Sequence, residues 1–110
     1  MKLLQLQKKY PNAYYNFIAY FRKRQPRSMC QEVYEMMDRV KDYCVRGWWK
    51  EITDFMDKQG IKIYAYPNGR LWTYVIIGVF RIERGLKNRQ QAETKAIEKA
   101  FQILEGRTTK

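Results

Sequence analysis

The spacing of apolar residues changes twice along this chain of 110 residues, and that change constrains the fold more than any other feature. Helical spacing extends as far as Gly60, alternation begins at Ile61, and helical spacing returns after Asn88. Helices must therefore flank a short β-region. The sequence predicts an α+β fold in which helices pack on a small antiparallel β-hairpin sheet, in the order α-α-α-β-β-α.

Helical patterns occupy the first sixty residues. The first helix is predicted to begin at an N-cap on Asn12 and to end before Pro26. A second begins with a capping-box pattern at Ser28 and Gln31, and Gly47 either ends or bends it. Residues 29–59 are thus two helices or one bent helix. The apolar faces are Tyr14, Phe17, Ile18 and Phe21, then Val33, Met36, Met37, Val40 and Cys44, and then Trp48, Ile52, Phe55 and Met56.

A hairpin is predicted between Ile61 and Glu83. Pro67, Asn68 and Gly69 form its turn, and residues 71–83 return as one long strand with a bulge at Gly78. Pairing Tyr66 with Leu71 gives a core face and an outward face, which a one-residue slip would exchange. The core face is Ile61, Ile63, Ala65, Trp72, Tyr74 and Ile76, and the outward face is Tyr64, Tyr66 and Thr73.

The last helix is predicted to begin at a cap on Asn88, with Gln91 three residues later, and to leave a flexible tail after Glu105. A chain of this length supports one core, so residues 1–110 are predicted to form a single domain. Its parts are an N-terminal helix with a basic tail at 1–27, a core at 28–105 and a tail at 106–110. The buried face of the last helix is Ala92, Ala96, Ile97, Ala100, Phe101 and Leu104.

The charge of the chain points to an acidic partner. Lys plus Arg number 22 against 11 Asp plus Glu, which gives a net charge of +11 and a pI of about 9.8. No signal-peptide pattern and no apolar run of membrane length occurs in the sequence. We therefore expect a cytoplasmic protein with no membrane partner.

Few residue types for catalysis are present, because the chain has no histidine and no glycine-rich phosphate loop. Cys30 and Cys44 fall about 21 Å apart on the predicted helix, too far for a disulfide. We expect no enzyme activity and no cofactor. The alternative is a nuclease in which Asp54 and Asp57 share a metal ion, although acidic rows are more often solvated helix faces.

Two basic clusters are the candidate binding residues. The first surrounds the start of the last helix, where positive charge opposes the helix dipole and an anion would relieve it, unless Glu83 or Glu93 neutralises the site. The second lies at the end of the first helix beside Tyr20, which could stack on a base or sugar, although the dipole alone also favours positive charge there. Tyr64 and Tyr66, with Trp72, are candidates for base stacking or for cross-strand packing. The clusters are Arg81, Arg84, Lys87 and Arg89, and Arg22, Lys23, Arg24 and Arg27.

About half of the chain, from Trp48 to Leu104, resembles small uncharacterised proteins carried by phages and prophages of Bacteroidetes. Small phage proteins of this size are often anti-defence factors, including anti-CRISPR proteins, so the resemblance implies a role of that kind. The shared features are the helix end at Gly60, the strand Ile61-Lys62-Ile63, the return strand with Trp72-Thr73-Tyr74 and the helix from Gln91-Ala92-Glu93 to Ala100-Phe101.

The last helix is also similar to the closing helix of double-stranded RNA-binding domains, whose basic start meets major-groove phosphates. Lys87 and Arg89 occupy comparable positions, whereas Asn88 and Gln90 replace the lysine pair of those domains. Two predicted strands stand where that fold has three. We read this similarity as convergence in design.

Three hypotheses for function result. The first is a non-enzymatic phage protein that inhibits a host defence complex by binding a nucleoprotein effector or its nucleic-acid channel. The second is a general RNA- or DNA-binding module, whose affinity would fall steeply with salt. The third is the carboxylate nuclease. The partner's identity, RNA against DNA, and the oligomeric state stay open.

Overall fold

The computed structural model describes residues 2–23, 45–78 and 81–108. Its strands form one antiparallel sheet in the order β1-β2-β3. The predicted α+β class is confirmed, with one strand more than the predicted hairpin. The elements are α1 (Leu3–Lys9), α2 (Pro11–Lys23), a 3-10 turn (Val45–Trp48), α3 (Trp49–Lys58), β1 (Lys62–Asn68), β2 (Leu71–Ile77), β3 (Arg81–Leu86) and α4 (Arg89–Thr108).

The predicted long return strand is in fact two strands, β2 and β3, which separate at Gly78. This glycine has φ +118°, a conformation that L-residues with a side chain rarely adopt. A Cβ atom at this position would lie 2.7 Å from the carbonyl oxygen of Gly60. Gly78 therefore ends β2 where the chain must pass close to the end of α3, and the predicted bulge at Gly78 is wrong.

The bulge lies instead between β2 and β3. Trp72 is paired with Leu86 and Tyr74 with Glu83, so two residues of β3 stand opposite Thr73 alone. One of these two is Gly85, with φ +78°. Thr73 is fully buried at this point, so its predicted outward exposure is wrong.

The β1–β2 hairpin has the predicted faces with a different register. Asn68, and not Tyr66, lies opposite Leu71. The register differs by two residues, and a shift of two leaves every side chain on the same face. Ile63 accordingly faces Ile76 on the side turned toward α4.

The N-terminal region contains a helix that the sequence analysis missed. α1 buries Leu3 and Leu6 completely and ends at Tyr10, because Pro11 cannot continue its hydrogen bonding. Pro11 is the first residue of α2, a position that suits proline. Asn12 therefore lies inside α2 and is not its N-cap.

Helix α3 ends as predicted, with Gly60 at φ +77°. Backbone N–H groups of Gly60 and Ile61 donate to the carbonyls of Asp57 and Met56, at 3.0 and 2.9 Å. This pair of bonds is the Schellman pattern and satisfies two of the last carbonyls of the helix.

Helix α4 packs against β1 and β2 on one side and against α2 on another, and it forms the centre of the core. The predicted buried face of α4 is confirmed, and the helix runs to Thr108, beyond the predicted boundary at Glu105. Within the ranges described, no helix is both long and apolar enough to span a membrane. The predicted helix that begins at Ser28, with Cys30 and Cys44, lies outside the described residues. The buried hydrophobic residues of α4 are Ala92, Ala96, Ile97, Ala100, Phe101 and Leu104.

Candidate nucleic-acid interface

The sheet face turned away from α4, which we call the outer face, is rich in exposed apolar side chains. Among the described residues, Tyr15 on α2 is the one exposed large apolar side chain that does not belong to the sheet. An exposed patch of this kind commonly marks a binding surface. The exposed large apolar side chains of the sheet are Tyr64 (49%), Tyr66 (43%), Leu71 (47%), Ile77 (45%) and Ile82 (54%).

The strand register brings these side chains together. Tyr64 lies opposite Val75, and Val75 lies opposite Ile82, so one row crosses all three strands. Neighbouring strands are about 4.8 Å apart, and Tyr66 follows Tyr64 on the same face about 6.6 Å further along β1. The outer face thus has two phenol rings side by side next to an aliphatic surface.

Cations lie on and beside the outer face. Arg84 is exposed and follows the outward Ile82 by two residues, and Arg70 is exposed in the β1–β2 turn. Neither forms an ion pair with any residue in the described parts of the chain. Lys62 begins β1 on the same face, where its Nζ lies 3.7 Å from Asp57 Oδ1. Positive charge is therefore available next to Tyr64 and Tyr66.

The start of α4, where an anion site was predicted, is satisfied by the chain itself. Gln91 N–H donates to Asn88 Oδ1 at 2.8 Å, and Lys87 N–H donates to Gln91 Oε1 at 2.9 Å. Arg89 Nε donates to Glu93 Oε1 at 2.7 Å, and the Glu93 side chain is only 5% exposed. Glu93 thus neutralises the positive charge of Arg89, which was the alternative to an anion site. Lys87 stays exposed beside a capped helix start.

The four residues of the first predicted basic cluster do not converge. Arg84 belongs to the outer face, whereas Lys87 and Arg89 lie at the start of α4. Arg81, the first residue of β3, lies beside the last turns of α4. Because β3 and α4 run in opposite directions, neighbours along the sequence are carried to opposite ends of the helix.

The second basic cluster falls mostly outside the described residues. Lys23 is exposed at the end of α2, and Arg22 is helical, but its side chain lies outside the description, as do Arg24 and Arg27 entirely. Tyr20, predicted as a stacking partner, packs against Phe55 with ring centroids 5.5 Å apart. Its ring is therefore used in core packing.

The two aspartates of the nuclease hypothesis, Asp54 and Asp57, line a cleft of about 440 Å³ between α3 and β1, together with Trp49 and Lys62. Asp57 Oδ1 lies 3.7 Å from Lys62 Nζ in an exposed ion pair. In the part of the chain that the structure describes, no three Asp, Glu, Cys or His side chains are arranged to hold a metal ion.

On the inner side of the sheet, Tyr74 and Glu83 form a cross-strand pair. The hydrogen bond from the Tyr74 hydroxyl is the main reason why the pKa of Glu83 is below its usual value, and Lys95, 3.2 Å away, adds to the effect. Burial raises the pKa of Tyr74, and the hydrogen bond to Glu83 raises it further. This pair and Lys95 connect β2, β3 and α4.

Sequence reasoning missed the aliphatic part of the outer face. Ile77 and Ile82 were read as parts of one long strand, so their positions on neighbouring strands were not seen. The positive φ available to glycine at position 78 was the signal that could have divided the strand.

Comparisons with protein-family models, with curated proteins and with solved structures found no match for this chain. The resemblances to phage proteins and to RNA-binding domains therefore stay predictions, and the functional argument rests on the chain's own residues.

Proposed function

We propose that this chain is a non-enzymatic binding protein whose outer face binds single-stranded RNA or DNA. The observation that carries the proposal is the pair of tyrosines on β1, Tyr64 and Tyr66, exposed on the same face as Arg84, which forms no ion pair with other described residues. Base stacking on an aromatic ring contributes about 1–3 kcal/mol per base and tolerates any sequence.

The charge of the chain supports the same partner. A net charge of +11 attracts a polyanion, and Arg70 and Arg84 are placed to contact phosphates of a strand whose bases lie on the outer face. Phosphate contacts position the strand, and the tyrosines hold its bases.

A single strand fits this surface better than a duplex. The third strand gives residues 49–108 the helix, three strands and helix order of double-stranded RNA-binding domains. That similarity implies that duplex phosphates contact the start of the last helix. In this protein, Arg89 at that position already forms an ion pair with Glu93. The exposed rings need unstacked bases, and these occur in single strands and loops.

The proposal is tested by fluorescence anisotropy with labelled single strands of RNA and DNA and the matching duplexes, over a range of salt concentrations. We expect single strands to bind more tightly and affinity to fall as salt rises. The double variant Tyr64→Ala/Tyr66→Ala should bind about tenfold or more weakly, since each stacked base contributes about 1–3 kcal/mol.

Tyr15→Ala is the matched control, because Tyr15 is 64% exposed and lies on α2, away from the sheet. It should bind like the parent protein. If the double variant also binds like the parent, or if duplexes bind as tightly as single strands, the stacking proposal is wrong.

A second candidate is the phage-type inhibitor that binds a host defence nucleoprotein. The observation that favours it is the exposure of Leu71, Ile77 and Ile82, because aliphatic side chains are suited to a protein contact and add little to stacking. In that case isolated nucleic acids should bind weakly at physiological salt. Ile82→Asp should then abolish capture of a defined effector complex, with Tyr15→Asp as the control.

A further inference from the structure

A second surface feature lies on the inner side of the sheet, between the start of β3 and the second half of α4. It is a cavity of about 280 Å³ and is open to solvent. Three of its lining side chains are cations from two different elements. The lining residues are Arg81, Lys99, Gln102, Ile103, Gly106 and Arg107.

Among the described residues, no carboxylate lines this cavity, and two acids that lie near Lys99, Glu83 and Glu98, line a neighbouring cavity. Glu83 forms an ion pair with Lys95, and the positive charge of Lys99 also lowers the pKa of Glu83. Glu93 binds Arg89, and Glu98 binds Lys9 at 3.1 Å. Glu105 accepts hydrogen bonds from α2.

The hydrogen bonds that the cations do form are to neutral groups. Lys99 Nζ donates to Gln102 Oε1 at 3.3 Å, and Arg107 Nη1 donates to the Gln59 carbonyl oxygen at 3.2 Å. These bonds hold the two side chains in place without cancelling their charge. In the described chain, Arg81, Lys99 and Arg107 form no ion pair.

We propose that this cavity binds a phosphate monoester, the group found at the end of a phosphorylated nucleic-acid strand and on a free nucleotide. Such a group carries a charge of about −1.5 to −2 at neutral pH, which matches a three-cation site better than the single charge of a phosphodiester. Guanidinium groups of Arg81 and Arg107 can each pair with two phosphate oxygens.

The helix dipole acts against an anion at this place, since the C-terminus of a helix carries about half a negative charge. Three full positive charges exceed that half charge. The cavity shares no residue with the outer face, because Arg81 points to the opposite side of β3 from Ile82. The phosphate site and the stacking face can therefore each fail without the other.

The test uses two probes with the full chain. Inorganic phosphate is titrated by NMR, and an oligonucleotide with a 5′-phosphate is compared in binding with the same oligonucleotide ending in a 5′-hydroxyl. We expect Arg81→Gln/Lys99→Gln to weaken phosphate binding about tenfold or more, as for the loss of charge-assisted hydrogen bonds. The charge-preserving variant Arg81→Lys/Lys99→Arg should keep most of it.

The matched control is Lys50→Gln/Lys58→Gln, which removes two exposed charges from α3 and should leave phosphate binding unchanged. A preference for the 5′-phosphate that only Arg81→Gln/Lys99→Gln removes assigns the site to strand ends. Phosphate binding without that preference assigns it to free nucleotides or phosphate. The proposal is overturned if phosphate does not bind, or if the two double variants weaken it equally.

Discussion

The two ends of α4 differ in how their charges are used. At the first end, Arg89 is bound to Glu93, and Asn88 and Gln91 cap the helix. In the second half of the helix, Lys99 and Arg107 donate hydrogen bonds to neutral oxygens and form no ion pair with other described residues. The sequence predicted an anion site at the first end, where positive charge opposes the dipole. The structure instead leaves Arg107, in the last turn, without an ion pair among the described residues, and the dipole favours positive charge there.

The difference teaches that the supply of nearby carboxylates, and not the density of basic residues, decides where a protein keeps unpaired cations. Glu93 lies one turn after Arg89 and can reach it along the same helix. Glu105 lies close to Arg107 in sequence, yet it faces α2, where Asn12 and Ala13 N–H groups donate to it. Tertiary packing thus directs the Glu105 carboxylate toward α2 at the C-terminal end of α4.

The largest expected effect comes from Glu105, which lies near the C-terminal end of α4 and binds backbone N–H groups of α2. Its carboxylate accepts from Ala13 N–H at 2.7 Å and Asn12 N–H at 3.3 Å, in place of an N-cap side chain. Glu105→Ala should lower the free energy of unfolding by about 1–2 kcal/mol, measured by urea denaturation.

Glu98→Ala is the control for this variant, since Glu98 lies on the same helix but binds the side chains of Tyr10 and the exposed Lys9, and no described backbone N–H group of α2. It should cost less than about 1 kcal/mol. Equal losses from the two variants would show that Glu105 acts as an ordinary surface charge.

The next effect concerns the cap at the first end. Asn88→Ala removes the acceptor for Gln91 N–H, found at 2.8 Å, and should cost about 1 kcal/mol. Asn88→Asp keeps an acceptor oxygen and adds a favourable charge, so it should retain stability. Thermal unfolding distinguishes them, and an unchanged midpoint for Asn88→Ala would contradict the self-satisfied helix end.

The smallest effect concerns Glu83, which lies between the two ends and binds Lys95. Its pKa is lowered in the folded protein, so its contribution is present above the unfolded pKa and is lost as pH falls through the folded value. Because the side chain is 39% exposed, Glu83→Gln should cost less than about 1 kcal/mol at neutral pH.

In thermal unfolding, the difference between the parent protein and Glu83→Gln should shrink once the pH falls below the ordinary glutamate pKa of about 4.3, and it should disappear below the lowered pKa of the folded protein. Tyr74→Phe removes the hydrogen bond that lowers this pKa most, so in that variant the pH-dependent loss of stability should be smaller and should be complete at a higher pH. A difference that does not change with pH would mean that Glu83 acts through packing alone.

Local patterns predicted much of the fold. Gly60 ends α3 as its conformational freedom indicated, and the apolar face of α4 is buried as its period indicated. Tyr64 and Tyr66 are exposed as their alternation indicated. The division of the return strand was not predicted, because the close approach of Gly78 to the Gly60 carbonyl joins residues far apart in the chain.

The candidate sites were predictable only in part for the same reason. The sequence placed the tyrosines on one face, but the aliphatic row beside them needed a third strand. It grouped Arg81 with Lys87 and Arg89, whereas the antiparallel course of β3 and α4 brings Arg81 to Lys99 and Arg107. Residues at the two ends of β3 are close in the sequence, but they lie beside opposite ends of α4 because the chain reverses between the strand and the helix.

By itself, the sequence determined the α+β class, the positive charge, the helix end at Gly60 and the faces of α4 and β1. These depend on periods and conformational preferences that act within a few residues. The tertiary structure alone decided the third strand, the Glu105 cap on α2 and which cations form no ion pair with other described residues. Each of these depends on which distant segments pack together, and local preferences carry no information about that.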